Sequence, residues 1–128
     1  GLRASGAPEA KAAMERAADW LRAVQNADGG WGESCASYVH DHFVPAPSTA
    51  SQTAWAVLGL LAAGKHDTPA FRRGVDYLIA NQTEEGTWKE DFATGTGFPN
   101  VFYMRYTLYC QHFPLMALAL GTRALSGA

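Results

Sequence analysis

Five aromatic rings fall within twelve residues of this chain: Phe98, Phe102, Tyr103, Tyr106 and Tyr109. The face of such a ring attracts a cation through its quadrupole, by about 2 kcal/mol or more when both are out of water. A group of rings therefore suits a carbocation, which a carboxylate placed too close would trap or deprotonate. If the chain from residue 102 is helical, Phe102, Tyr106 and Tyr109 fall on one face at steps of four and three. That face could line a cavity. The competing reading is an aromatic core stripe, the commoner explanation of such a run when nothing else is known.

Other reactive types are present but do not assemble. His40, His42 and Cys35 could supply three metal ligands, but no fourth is apparent, so no metal site is expected. His112 precedes an apolar run and reads as a core histidine. Glu84-Glu85 and Glu90-Asp91 read as solvated loop carboxylates. Glu33 follows Gly30-Trp31-Gly32 in a long loop, where it could support the polarity of a site or be an ordinary loop carboxylate. Cys35 and Cys110 are far apart with no Cys-x-x-Cys spacing, which reads as two free thiols in a reducing compartment. The net charge of −2 argues against a nucleic-acid partner. No hydrophobic leader opens the chain, and the runs Ala54–Ala63 and Phe113–Leu120 are too short to span a bilayer.

One phrase occurs twice. Arg16-Ala17, Trp20-Leu21, Gln25, Gly29 and Trp31 return as Arg73-Gly74, Tyr77-Leu78, Gln82, Gly86 and Trp88, each 57 positions later. A fixed period means stacked supersecondary units. Each Gln stands at a helix end, beside carbonyls that lack a partner, and its amide can bridge to the next helix. The glycines permit positive φ, and the Trp can pack on the amide plane. Gln25, Trp31, Gln82 and Trp88 are therefore expected to be structural clamps rather than cation-stabilising groups.

The elements that must position these residues are helical. Pro8 suits a first helical turn, and Met14, Ala17, Ala18, Leu21 and Val24 give an amphipathic helix over about 8–26. Residues 1–7 read as a flexible lead-in. A long loop, 27–47, follows. Ser48 or Thr49 caps a helix ending near Gly64 that is apolar nearly all round, hence buried. Thr68-Pro69 opens a second amphipathic helix, to about Gln82. After another loop, about 83–101, the last helix is again apolar nearly all round. With 48% apolar residues, 128 residues can bury a real core.

The repeat resembles the QW motif of the triterpene cyclases. Gly95-Thr96-Gly97-Phe98-Pro99, Phe102-Tyr103, Tyr106-Thr107-Leu108-Tyr109 and His112-Phe113-Pro114 resemble the C-terminal active-site segment of squalene–hopene cyclases, and Ser48–Ala56 fits the same family. The resemblance covers roughly residues 10–120. It implies an all-α fold, part of an α-α barrel or toroid of helix pairs, with about two pairs in residues 8–128 of a C-terminal fragment. It further implies that Phe98 and Phe102 stabilise late cations, and that Tyr106 and Tyr109 match aromatic positions at the site. The parent would act on a squalene-like polyprenyl hydrocarbon by proton-initiated isomerisation, without metal or organic cofactor, as a monotopic protein on the cytoplasmic face of a membrane. The family's Asp-x-Asp-Asp acid is absent from this chain, so the isolated chain is expected to be inactive, and to need the rest of the cyclase or self-association to cover its inner helices. Two alternatives stand beside this. One is another α-α toroid enzyme, such as a protein prenyltransferase β subunit, which needs a zinc site. The other is a non-catalytic interaction module derived from the repeat.

Overall fold

In a computed structural model, residues 2–98 and 100–126 are described; Gly1 of the expected lead-in, Pro99 of the glycine-rich motif, Gly127 and Ala128 lie outside the described residues. The chain is mostly helical. Its elements run α1 (Leu2–Ser5), α2 (Pro8–Ala23), α3 (Ser37–His40), α4 (Ala50–Ala62), α5 (Pro69–Ala80), β1 (Gly95–Phe98), β2 (Phe102–Met104) and α6 (Tyr109–Ser126). The lead-in contains α1, a single exposed helical turn with no buried residue.

The caps explain the helix starts. Pro8 and Pro69 stand in first turns, where a missing N–H costs nothing. Thr49, rather than Ser48, caps α4, its hydroxyl accepting from the Gln52 N–H; Thr68 does the same for Phe71 in α5. Ser48 instead donates to Asp28 Oδ1 at 2.7 Å, tying the turn after α2 to the entry of α4.

Helices α2 and α5 are amphipathic, and α4 and α6 are the apolar partners that follow them. The core gathers on α4, whose Ala54, Val57 and Leu60 are fully buried against Phe71 and Leu78 of α5 and Ala117 of α6. By contrast α6 leaves Leu115, Met116 and Leu120 exposed along one side.

Three expectations change. Residues 102–104 are a strand rather than the start of a helix, pairing antiparallel with β1 in the register Gly95↔Met104, Thr96↔Tyr103 and Phe98↔Phe102, with a bulge between Thr96 and Phe98. The periodicity that suggested one helical face for Phe102, Tyr106 and Tyr109 is therefore an accident of spacing. His112 is exposed, because the buried side of α6 runs through Cys110, Pro114, Ala117 and Gly121. Glu90, expected to be a solvated carboxylate, is half-buried and bonded to the start of α4.

Candidate functional site

The glycines of the hairpin set the rings. A Cβ on Gly95 would stand 2.7 Å from the Tyr106 ring, and one on Gly97 would stand 2.2 Å from the Phe102 ring. Both are far inside the carbon–carbon contact distance of about 3.5–4.0 Å. The alternation Gly-Thr-Gly thus leaves two bare patches of backbone, each covered by a ring from the other side of the hairpin. Tyr106 follows β2 and stacks on Tyr109 with ring centroids 4.5 Å apart. Phe102 meets Phe98 edge to face at 5.8 Å. Phe98 is 64% exposed and Phe102 44% exposed, so this pair faces outward.

The four predicted rings are therefore brought together as two pairs, not as one helix face. Two further rings join the second pair; both lie in segments that resemble the family, but neither is among the site residues expected from the sequence. Tyr109 meets Phe113 at 5.2 Å and Trp55 of α4 at 5.7 Å, and Trp55 meets Phe113 at 5.4 Å. Sequence spacing could not pair them because Trp55 comes from another helix, so its contacts with Tyr109 and Phe113 are non-local.

The repeated phrase repeats at the level of atoms. The indole N–H of Trp31 donates to the Leu21 carbonyl at 2.8 Å, and that of Trp88 to the Leu78 carbonyl at 2.8 Å. Gln25 Nε2 donates to the Gly29 carbonyl at 2.8 Å, and Gln82 Nε2 to the Gly86 carbonyl at 2.9 Å. Gly29 and Gly86 share a positive φ, at 89° and 78°. Each indole thus serves a helix-end carbonyl that the helix itself leaves open. Trp31 and Trp88 are 4% and 3% exposed. Gln25 does more: its amide also donates to the Ala70 carbonyl in the first turn of α5 at 2.9 Å, and its oxygen accepts from Arg73.

Glu33 is exposed, and its backbone N–H and carbonyl are both held by the Gln52 side chain, at 2.8 and 3.1 Å. It borders a cavity of about 560 Å³ whose wall includes Trp20, Leu21, Cys35, Gln52, Trp55 and Ala56. Phe98, Phe102, Tyr106 and Tyr109 do not line it. Burial, and then the Glu33 charge, push the Cys35 thiol above its ordinary pKa. Burial, followed by Asp28 and Glu90, likewise raises Tyr77, whose hydroxyl donates to the Ser48 carbonyl at 2.9 Å. Cys35 and Cys110 are both free. Cys35 Sγ lies 3.3 Å from the Ala93 carbonyl, and His42 Nδ1 lies 2.8 Å from the His40 carbonyl. Among the described residues no group of three His, Cys, Asp or Glu side chains could hold a metal.

The squalene-hopene cyclase C-terminal domain family matches residues 1–123. The chain belongs to that family. It is similar to a squalene–hopene cyclase of Zymomonas mobilis, at 51% identity over 92% of this chain and 18% of that protein. It is 59% identical to a squalene–hopene cyclase of Bradyrhizobium diazoefficiens, over 83% of this chain and 16% of that protein. A dammaradiene synthase of Dryopteris crassirhizoma is 48% identical over 83% of this chain and 18% of its own length. The chain thus spans less than a fifth of the relatives it matches.

Proposed function

We propose that this chain is the C-terminal part of a squalene–hopene-cyclase-like enzyme. Its hairpin rings stabilise the late carbocations of a proton-initiated polyene cyclisation. The observation that carries this reading is the pair of ring–glycine contacts at Gly95 and Gly97. They set Tyr106 and Phe102 against bare backbone, and Phe98 and Phe102 are exposed enough to meet a ligand. An aromatic stripe serving only as core would be buried, whereas Phe98 and Phe102 are not. The substrate class is a squalene-like hydrocarbon, and the chemistry needs neither metal nor organic cofactor. No Asp-x-Asp-Asp occurs in this chain. The initiating proton therefore comes from another part of the parent enzyme, and the isolated chain is inactive. Squalene dissolves in membranes, so the parent works at a membrane surface on the cytoplasmic side. Among the described residues no helix is long and apolar enough to cross one.

The repeat supports a larger ring of helix pairs. Arg73 clasps Gln25, but their counterparts one period away, Arg16 and Gln82, have no such mate among the described residues. Each would be matched by a neighbouring unit of the parent chain.

Phe102→Ala in the full-length protein tests the assignment. With squalene in detergent, gas chromatography should show a shift toward incompletely cyclised hydrocarbons, and Phe102→Tyr should restore most of the normal product. An unchanged profile in Phe102→Ala overturns the reading.

A further inference from the structure

We propose that Glu90 is a positioning residue. Its carboxylate latches the aromatic hairpin onto the first turn of α4 and so fixes where the Phe98, Phe102 and Tyr106 rings stand. The inference rests on the reading above, that these rings face the cation.

A two-stranded hairpin is marginal on its own and must be anchored. Glu90 precedes β1 and supplies the anchor. Its Oε2 accepts from the Ser51 N–H at 2.8 Å and its Oε1 from the Ser51 hydroxyl at 2.7 Å. Ser51 is fully buried. Its N–H is one of the donors that a helix start leaves open, and the carboxylate also meets the positive end of the α4 dipole. The far side of the hairpin reaches the same residue. Arg105, just past β2, donates through Nη1 to the Glu90 carbonyl at 3.1 Å and to Asp91 Oδ1 at 3.3 Å. Both legs of the hairpin therefore meet at Glu90, and Glu90 is fixed to the most buried helix. The neighbouring ties hold other points: Gln111 brackets the Trp88 backbone at 3.3 and 2.7 Å, Cys35 Sγ reaches the Ala93 carbonyl at 3.3 Å, and Tyr103 of β2 stacks on Tyr38 with ring centroids 6.1 Å apart. None of them ties the hairpin to α4 as Glu90 does.

The test uses Glu90→Ala, Glu90→Gln and Ser51→Ala in the full-length protein. Amide hydrogen exchange and the squalene product profile are the readouts. A glutamine can accept from the Ser51 N–H and donate to its Oγ, so it keeps both contacts without the charge. Glu90→Ala should speed exchange of the hairpin amides at 95–104 at least tenfold, leave α5 and the interior of α4 unchanged, and raise the share of incompletely cyclised product several-fold. Glu90→Gln should restore most of both. Should Glu90→Ala fail to fold, Ser51→Ala removes one bond of the two and should show the same local effect at smaller amplitude. The proposal is overturned if hairpin exchange is unchanged, if exchange rises equally in every helix, or if Gln behaves like Ala. A wild-type protein that makes no cyclised product from squalene sinks the functional reading instead, and the exchange pattern still decides whether the latch exists.

Discussion

Gly97→Ala should change what the enzyme makes while barely changing its stability. The new Cβ would stand 2.2 Å from Phe102 Cζ, 2.6 Å from Cε2 and 3.0 Å from Cε1. Carbon atoms rest at about 3.5–4.0 Å, so the ring must withdraw by more than ~1 Å. It is 44% exposed and so can move without overpacking a core. The stability cost includes the weakened edge-to-face pair with Phe98, worth about 0.5–1.5 kcal/mol. Against it stands a gain of about 0.5–1 kcal/mol from replacing a strand glycine. The two nearly cancel, and thermal melting should move by no more than a few degrees. The cation is affected more. A well-placed desolvated ring contributes about 2 kcal/mol. Losing half to all of that alters the ratio of ring closure to early deprotonation by about 5- to 30-fold, at 1.36 kcal/mol per tenfold. The assay is squalene turnover by the full-length protein with products resolved by gas chromatography, beside a melt followed by circular dichroism. A normal product profile in Gly97→Ala, or a large fall in melting temperature with no change of product, refutes the assignment of Phe102 to the cation.

Trp31→Phe and Trp88→Phe should do the opposite. Each leaves a helix-end carbonyl, Leu21 or Leu78, without its indole donor, at a cost of about 1–3 kcal/mol. Melting temperature should fall by similar amounts in the two variants, with products unchanged; a product shift in either contradicts the clamp role. At pH 8, Cys35 should be alkylated by iodoacetamide more slowly than an unstructured cysteine, since its raised pKa leaves less thiolate. Glu33→Gln removes one of the two causes and should speed the reaction, and an unchanged rate would show that the Glu33 charge does not reach the thiol.

The helices were legible because their signals are local. Proline and threonine marked the starts of α4 and α5, and apolar periodicity separated the amphipathic α2 and α5 from the all-round apolar α4. The repeated phrase was legible because it recurs at one period, and its hydrogen bonds recur with it. The hairpin was not, because its deciding contacts are steric and non-local: nothing in Gly-Thr-Gly says that Phe102 and Tyr106 will lie across those two glycines. Glu90 was misread for a related reason. A carboxylate in a polar loop looks solvated until the fold brings a buried helix start beside it.

Glu33 and Glu90 are 57 positions apart, so they are counterparts in the repeat. Glu90 holds Ser51, at the start of the apolar helix that precedes it. The Glu33 carboxylate has no hydrogen-bond or ion-pair partner among the described residues, although its backbone is fixed by Gln52. It borders the cavity of about 560 Å³ walled by Trp20, Leu21, Gln52 and Ala56. One period on, these positions are Tyr77, Leu78, Tyr109 and Phe113. Of these, Tyr109 and Phe113 pack on Trp55 of α4, and Tyr77 bonds Ser48 just before it. From the repeat we propose that the first turn of another apolar helix of the parent chain sits against Glu33, an alternative to the support of site polarity expected from the sequence. Glu33→Ala should then be nearly neutral for the melting of the isolated chain. In the full-length protein it should lower stability by about 1–3 kcal/mol, the cost of an orphaned buried donor. The comparison is one substitution melted in two contexts. Equal effects in both, or an altered product profile at unchanged stability in the full-length enzyme, would return Glu33 to the site-polarity role.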